Sequence, residues 1–430
     1  MKKPPQITAI DIGSSKITTI IASVNEEENK VRVVGVSSVP SKGIRKSQVV
    51  DIDEAIEAVT ESVESAERMA GFSISEATVS ISGIHIESQN SKGLVAVQNP
   101  EAEITQEDVS RVVDAARAVP LEAAREILHV IPRHFIVDNQ EGIKDPVGMT
   151  GVRLESDTHI ITGAATNIRN LVKVVSEIGV DTESVVFSGL ASAQSVLTGT
   201  EKELGVVLVD IGGGTSSVCI YVEGALSHSG VIPVGAKNIT SDIAIGLRVS
   251  LETAEEIKRA IGAVDKTPAK ALDPKNPASK KQQDEIDLHK LGIKEGPRKI
   301  SRKAVLEGIM RPRIIEMFEL IKEEIRKSGS ANKTPAGVVL TGGGAMTHDI
   351  HDSARKYLNM QSRVAIPSDL TGLIDEISTP EYATATGLIL HRLASGAKSD
   401  RQPLGLSRLP QLQFKGTAKK LVNFVKSFLP

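Results

Sequence analysis

Two aspartates each close an apolar strand and each lead into glycine and small hydroxyl residues: AIDIGSSK (Ala9–Lys16) and LVDIGGGTSS (Leu208–Ser217). These residue types suit a polyphosphate. Glycine lets backbone N–H groups come close to phosphate oxygens, and neighbouring hydroxyls donate to the same oxygens. A carboxylate at the strand end suits Mg²⁺ held through water, because that cation dehydrates reluctantly. The candidate contacts are Asp11, Gly13, Ser14, Ser15 and Lys16 in the first stretch, and Asp210, Gly212, Gly213, Gly214, Thr215 and Ser216 in the second. Asp11 and Asp210 are the candidate Mg²⁺ carboxylates, acting through water. A third stretch, VVLTGGGAM (Val338–Met346), sets Gly342, Gly343 and Gly344 between an apolar strand and an expected helix, a geometry suited to a phosphate–ribose region.

Each of the first two turns runs into another strand, Lys16–Val24 or Ser217–Val222, so each is expected to be a β-hairpin. A Walker A loop or a Rossmann fingerprint leads into a helix instead. Taken singly, DIGSSK is equally a plain glycine turn. Two hairpins of one design point to two duplicated halves that face each other across a cleft and clamp a phosphate chain from both sides.

Strands and helices alternate along most of the chain, the pattern of α/β architecture. Strands are expected at 6–24, 31–40 and 77–82. DIDEAIEAVTESVESAERMA (Asp51–Ala70) carries Ile52, Ile56, Val59 and Val63 at helical spacing. Residues 84–162 differ in texture: the strand GLVAV, a helix opened by Thr105 with Asp108 three positions on, and the strands HVIPRHFIVD and THIITGA. This reads as a small α+β module inserted into a larger domain. Helices follow at 167–178 and 190–197 and, in two segments, over 239–261. Residues 265–299, rich in Lys, Asp, Gln, Ala and Pro, read as a mobile insertion, and 301–327 as one long helix.

At 430 residues the chain has room for two or more domains. Its balance of 51 basic and 54 acidic residues gives no polybasic case for nucleic acid, and 2% aromatics leave no stacking platform for single strands. One cysteine, Cys219, excludes a disulfide framework and favours a reduced cytosolic setting. No apolar run reaches membrane-spanning length, and MKKPPQ is not followed by a signal-peptide core.

The constellation resembles the actin/Hsp70/sugar-kinase ATPase superfamily and, within it, the bacterial FtsA family, over nearly the whole chain. DIGSSK resembles the phosphate-1 loop, DIGGGTSS the phosphate-2 loop and LTGGGA the adenosine motif, while PEYATATGL (Pro380–Leu388) sits at the second connecting helix. More particular to FtsA are IPRHFIVDNQEGIKDPVGMTGVRLE (Ile131–Glu155), GLASAQSVLTGTEKELGVVLVDIGGGT (Gly189–Thr215) and ITSDIAIGLRVSLETAEEIK (Ile239–Lys258). The resemblance implies an actin-like, ribonuclease H-like, duplicated two-domain ATPase fold with an inserted α+β subdomain 1C. Its divisions would be 1A over 1–83 and 163–198, 1C over 84–162, 2A over 199–236 and 313–379, and 2B over 237–312. A return helix (380–395), a tether (396–415) and a terminal helix (416–430) complete the chain.

ATP and Mg²⁺ are the implied ligands, with Gly235, Lys237, Asn238, Glu255, Lys258 and Met346 as further nucleotide contacts. Ala236 departs from the family's common second glycine, which weakens the case for Lys237 and Asn238. Glu255 and Lys258, three apart on a helix, are otherwise a surface ion pair. Gln194 resembles actin's water-positioning glutamine in type and place, and is equally an exposed helix glutamine. The implied function is a polymerising, ATP-binding adaptor with at most slow hydrolysis, on the cytoplasmic face of the bacterial membrane at the division site. Its implied partners are the C-terminal tail of FtsZ, met by Arg302 and Arg313, other copies of itself, and further division proteins through 1C. For Arg302 a solvated helix position is the plainer reading.

The terminal GTAKKLVNFVKSFLP sets Leu421, Phe424, Val425 and Phe428 at i, i+3, i+4 and i+7, with Leu429 alongside and Lys419 and Lys420 on the polar side. Seven basic residues and one acidic follow from Lys398 onward, so this end suits an anionic membrane surface. Rival readings are a small-molecule kinase of the same superfamily, which needs an acceptor pocket with a catalytic aspartate, an Hsp70-like chaperone, which needs a β-rich domain after the ATPase, and a pilus-assembly relative.

Overall fold

The computed structural model describes residues 5–25, 30–98, 103–264, 284–293 and 295–397. The chain divides into one unit from Met1 to Ala394 and another from Ser395 onward. The terminal-helix residues Lys419, Lys420, Leu421, Phe424, Val425, Phe428 and Leu429 lie outside the described residues, as does all of the tether beyond residue 397.

The first unit holds two lobes built on one plan. The first lobe's sheet has the spatial order Asp181–Phe187, Glu76–Ile81, Gln6–Ile12, Lys16–Asn25, Lys30–Pro40 and the two-residue strand Thr371–Gly372. The second lobe's order is Ala225–Ile232, Ser216–Val222, Val206–Ile211, Val338–Thr341 and Ser362–Val364. In both, the central strand begins an antiparallel meander on one side and pairs with parallel strands on the other. The turns match residue for residue. Ile12 pairs with Ile17 and Ile211 with Ser216, and each loop closes on the same bond, Gly13 N to Lys16 O and Gly212 N to Thr215 O. The likeness of the two sequence stretches is therefore one fold used twice.

Apolar runs in the central strands follow from burial on both faces. Along Val206–Ile211, Val207, Val209 and Ile211 enter the second lobe's core, while Val206 and Leu208 face the core shared with the first lobe. Helix Ile52–Ala70 covers the first sheet. Asp51 opens it by accepting from the Glu54 N–H, and Gly71 ends it at φ 81°.

The inserted module is a four-stranded sheet with the order Glu87–Ala96, Arg153–Ala164, Arg125–Val137 and Gln140–Ile143. It is covered by helix Gln106–Arg117, which Thr105 and Asp108 open as a reciprocal capping box. Its core is separate and small: Ile104, Val112, Phe135, Val137 and Leu154. The fourth strand was not legible in sequence. QEGI is largely exposed and has no apolar alternation, and it follows a turn at Asp138 and Asn139, both at positive φ.

The helix expected over 301–327 runs from Arg302 to Lys327, with one π-helical turn at Leu306–Met310. Two expectations need correction. The stretch 265–299 is not a mobile insertion throughout: residues 265–283 lie outside the described residues, but Glu285–Asp287 pairs with Lys299–Ser301, and Ile286, Leu288, Ile293 and Ile300 join the second core. Three or four buried apolar side chains suffice to fold a polar segment onto a larger body. The helix expected directly after Gly342–Gly344 is a short 3-10 turn, Gly343–Met346, and the α-helix starts at Ile350.

Helix Ser188–Val196 and helix Ala383–Ala397 cross where Gly387 meets Ala191. A Cβ on Gly387 would lie 1.8 Å from the Ala191 carbonyl oxygen, so any side chain there drives the helices apart. Overpacking of this kind costs about 1–3 kcal/mol. Gly387→Ala is expected to lower the urea midpoint clearly, while Gly199→Ala, with nothing within 4 Å of the added methyl, leaves it unchanged.

Candidate functional site

The ends of the two central strands converge on a cleft of about 1050 Å³ between the lobes, at the upper end of the range of ~300–1,000 Å³ for small-molecule sites. Asp11, Gly13, Ser14, Ser15 and Lys16 line it from the first lobe; Asp210, Gly212, Gly213 and Thr215 line it from the second; Gly342, Gly343, Gly344 and Met346 form a further wall. The closing bond of each loop uses only its first amide. The intervening amides of Ser14, Ser15, Gly213 and Gly214 have no acceptor among the described residues, which leaves donors for an anion.

The lobes touch at the cleft floor. Ser47 sits at the tip of the hairpin Ile44–Val49 with φ 59°. Its N–H donates to Ser14 Oγ at 2.6 Å, and its hydroxyl lies 2.9 Å from Thr215 Oγ1. Lys237 Nζ reaches from the second lobe to the Ser14 carbonyl at 2.8 Å.

Both aspartates are buried, and burial is the main cause of their raised pKa values. Asp11 is pushed up to about 6 despite the hydrogen bond from Ser80 Oγ (2.6 Å), with the nearby Asp210 adding to the rise. Asp210 is also raised, against the hydroxyls of Ser192 (2.5 Å) and Thr384 (3.0 Å) that hold its Oδ2. Two desolvated carboxylates of like charge at one cleft fit a divalent cation held through water, the donor set Mg²⁺ prefers. The ammonium of Lys16 lies 3.0 Å from Glu381 and over the Tyr382 ring. Desolvation lowers its pKa, opposed by Glu381 and Asp11.

Glu255 and Lys258 are not an exposed pair. Both line the cleft, Lys258 is buried, and its ammonium donates to Glu255 (2.6 Å) and Thr240 (2.9 Å). Other expected residues turn elsewhere. Ser216 occupies the strand position opposite in sense to Thr215 and Ser217, and its hydroxyl donates to the Val234 carbonyl. Asn238 folds back to accept from Gly235 N at the start of its own helix. Gly214 and Gly235 do not line the cleft. Gly235 packs against the carbonyls of Gly212 and Gly213, and the backbone N–H groups of Ala236 and Lys237 bond to those same carbonyls. The Ala236 amide is therefore already committed, whatever its side chain.

Gln194 is not brought to the cleft. On helix Ser188–Val196 it is Ser188 and Ser192, one turn apart, that face the lining and Asp210; Gln194 is two residues further, about 200° around the axis. Arg313 is held by Asp242 (2.6 Å) and by Glu316, and Arg302 meets His348 (3.3 Å), which itself lines the cleft. Residues that sequence reasoning missed are mostly serines and threonines: Ser47, Ser80, Ser82, Ser188, Ser217 and Thr384. Single hydroxyl residues scattered over the chain carry no spacing signal. Of the missed lining residues, Ser217, Glu381 and Thr384 lay inside stretches already singled out.

A family model described as "Cell division protein FtsA" matches residues 207–387, and one described as "SHS2 domain inserted in FTSA" matches residues 83–162. The cell division protein FtsA of Pseudomonas aeruginosa is 38% identical over 402 residues, spanning 93% of this chain and 92% of that protein. Among solved structures, the PilM–PilN type IV pilus biogenesis complex superposes with a TM-score of 0.62 at 14% identity, covering 90% of this chain and 98% of that one. MreB 5 of Spiroplasma citri bound to AMPPNP gives 0.52 at 14% identity, covering 91% and 97%. At such identities the structures bear on fold alone, and that fold is actin-like.

The raised pKa of Asp11 has a definite sign. Between about 4 and 6 the native chain holds a proton that the unfolded chain has released, so stability falls as pH rises through that window. A shift of about two units corresponds to roughly 3 kcal/mol. Asp11→Asn, which keeps an acceptor for Ser80, is expected to stabilise the ligand-free protein by up to about that amount at pH 7.5 and to give no gain at pH 3.5. Urea titrations at the two pH values measure it.

Proposed function

The chain belongs to the FtsA family of cell-division proteins, and from that premise we propose that it binds Mg·ATP in the interlobe cleft, polymerises, and tethers FtsZ filaments to the cytoplasmic face of the bacterial membrane at the division site. One observation carries the nucleotide part: equivalent turns of two duplicated lobes present unpaired amides and two buried carboxylates to one cleft. The AMPPNP bound by the fold neighbour MreB 5 supports the same assignment.

In this reading, the amides of Ser14, Ser15 and Gly213, which line the cleft, bind the phosphates from both sides. Asp11 and Asp210 hold Mg²⁺ through water, and the cation supplies charge neutralisation at the phosphates. Glu255 and Lys258 face the nucleoside, with Gly342–Gly344 and Met346 at the base. The expected water-positioning residue, Gln194, is not among the described residues that line the cleft, which fits at most slow hydrolysis. ATP then acts chiefly as a bond between lobes. Its presence sets their angle and, through that, the stacking of protomers.

The subdomain boundaries proposed above follow from the same membership. FtsZ-tail binding on 2B is proposed on the same ground, with Arg302 and Arg313 as its candidate residues; Arg313 is paired with Asp242 and Glu316. Subdomain 1C is assigned to other division proteins. The cationic amphipathic sequence 416–430 is assigned to the membrane, where one short helix binds weakly and a polymer of them binds firmly through avidity.

Two measurements test this. Asp210→Ala should weaken Mg·ATP binding at least tenfold in a calorimetric titration, and an unaltered affinity sinks the clamp. Deleting 416–430, or Phe424→Glu alone, should release the protein from anionic vesicles in co-sedimentation, with the ATP affinity retained; persistent binding refutes the membrane assignment.

A further inference from the structure

The inserted module leaves the first lobe after strand Glu76–Ile81 and returns to it through helix Ala165–Glu177, yet it is also bonded to the second lobe. Its edge strand Glu87–Ala96 lies beside the second lobe's edge strand Ala225–Ile232. An edge strand exposes unpaired N–H and C=O groups, and here side chains satisfy them. Ser88 Oγ accepts from Ser229 N (3.1 Å) and donates to Ser229 O (2.7 Å). Asn90 Nδ2 donates to Ser227 O (3.1 Å).

His159, 1% exposed, fixes both partners. Its Nδ1 lies 2.7 Å from Asn90 Oδ1 and its Nε2 lies 3.0 Å from Ser229 Oγ. The amide oxygen only accepts, so Nδ1 carries the proton and Nε2 takes the Ser229 hydroxyl proton. Burial drives the pKa of His159 down to about 3, with His228 and Arg133 adding to the fall, so the ring stays neutral and this pattern holds. Arg133 is paired with Asp157, and His228 Nε2 lies 2.8 Å from Glu324 Oε1.

We infer that this seam is a latch coupling the position of the inserted module to the closure of the interlobe cleft. Strand Ala225–Ile232 pairs with Ser216–Val222, which starts at the Gly212–Thr215 turn. The second lobe is therefore tied to the first at the turn, through Ser47–Thr215 and Lys237–Ser14, and again at the seam through the module. A rotation that opens the cleft strains the seam. Because the seam is made of side chains rather than a shared strand ladder, it parts without unfolding either sheet. Closure favours docking of the module, and docking favours closure by the same factor.

The test uses the full chain. Hydrogen–deuterium exchange without nucleotide compares wild type with the Ser88→Ala/Asn90→Ala double variant. The latch requires faster exchange at 212–216, which neither substitution touches, as well as at 225–232; a rise confined to the seam strands overturns it. A second arm rests on the nucleotide reading: titration with Mg²⁺ and a fluorescent ATP analogue. The double variant is expected to bind on the order of 5-fold more weakly, and Ser88→Thr, which keeps the hydroxyl, to bind as wild type. An affinity of the double variant equal to wild type overturns the latch. A wild type that binds no analogue overturns the nucleotide reading instead, and the exchange arm still decides the latch. Should the double variant lose its circular-dichroism spectrum, Ser229→Ala serves in both arms.

Discussion

Two carboxylates taken out of water at the ends of facing strands are the constraint on which this molecule turns. Asp11 and Asp210 sit at the same place in two copies of one topology, and burial raises the pKa of both. Buried carboxylates are costly unless their oxygens are hydrogen-bonded. Much of the surrounding hydroxyl content follows from that choice. Ser80, Ser192 and Thr384 are spent holding the two carboxylates, and Thr384 and Ser192 also bond to each other, which ties the return helix to the connecting helix.

The duplication makes the cleft cheap to build. Each lobe needs only a strand that ends in Asp-Ile-Gly and a meander to brace it, and the second copy then supplies the opposing wall. The copies have diverged at the turn. Lys16 stands where Thr215 stands in the other loop, so one wall brings a cation and the other a hydroxyl. Helices Ser188–Val196 and Ala383–Ala397 meet at a glycine, which brings their axes close.

Much of this was legible in the sequence because it rests on local grammar. Asp-Ile-Gly after an apolar run, a capping box at Thr105, and helical spacing over residues 52–70 each depend on neighbours a few positions away. What escaped depends on distant partners. Ser216 looks like a loop hydroxyl until strand alternation turns it toward Val234, and Gln194 has the right type on the right helix but the wrong angular position. The polar strand Gln140–Ile143 has no pattern of its own and exists because Arg125–Val137 offers it an edge. Ser47 and His159 gain their roles from contacts more than sixty residues away.

The strand Thr371–Gly372 adds to the first sheet beside Arg32 and Val33, and Thr371 Oγ1 donates to the Val31 carbonyl across 340 positions of chain. The first lobe is thus finished by residues translated long after its other strands. At about 5–20 residues per second, roughly 20–70 seconds separate the emergence of the two partners from the ribosome. Throughout that interval the nascent sheet carries an open flank at Lys30–Pro40. An open sheet edge is a template for pairing with other chains, so the flank at Lys30–Pro40 stays exposed to mispairing until Thr371 and Gly372 are made.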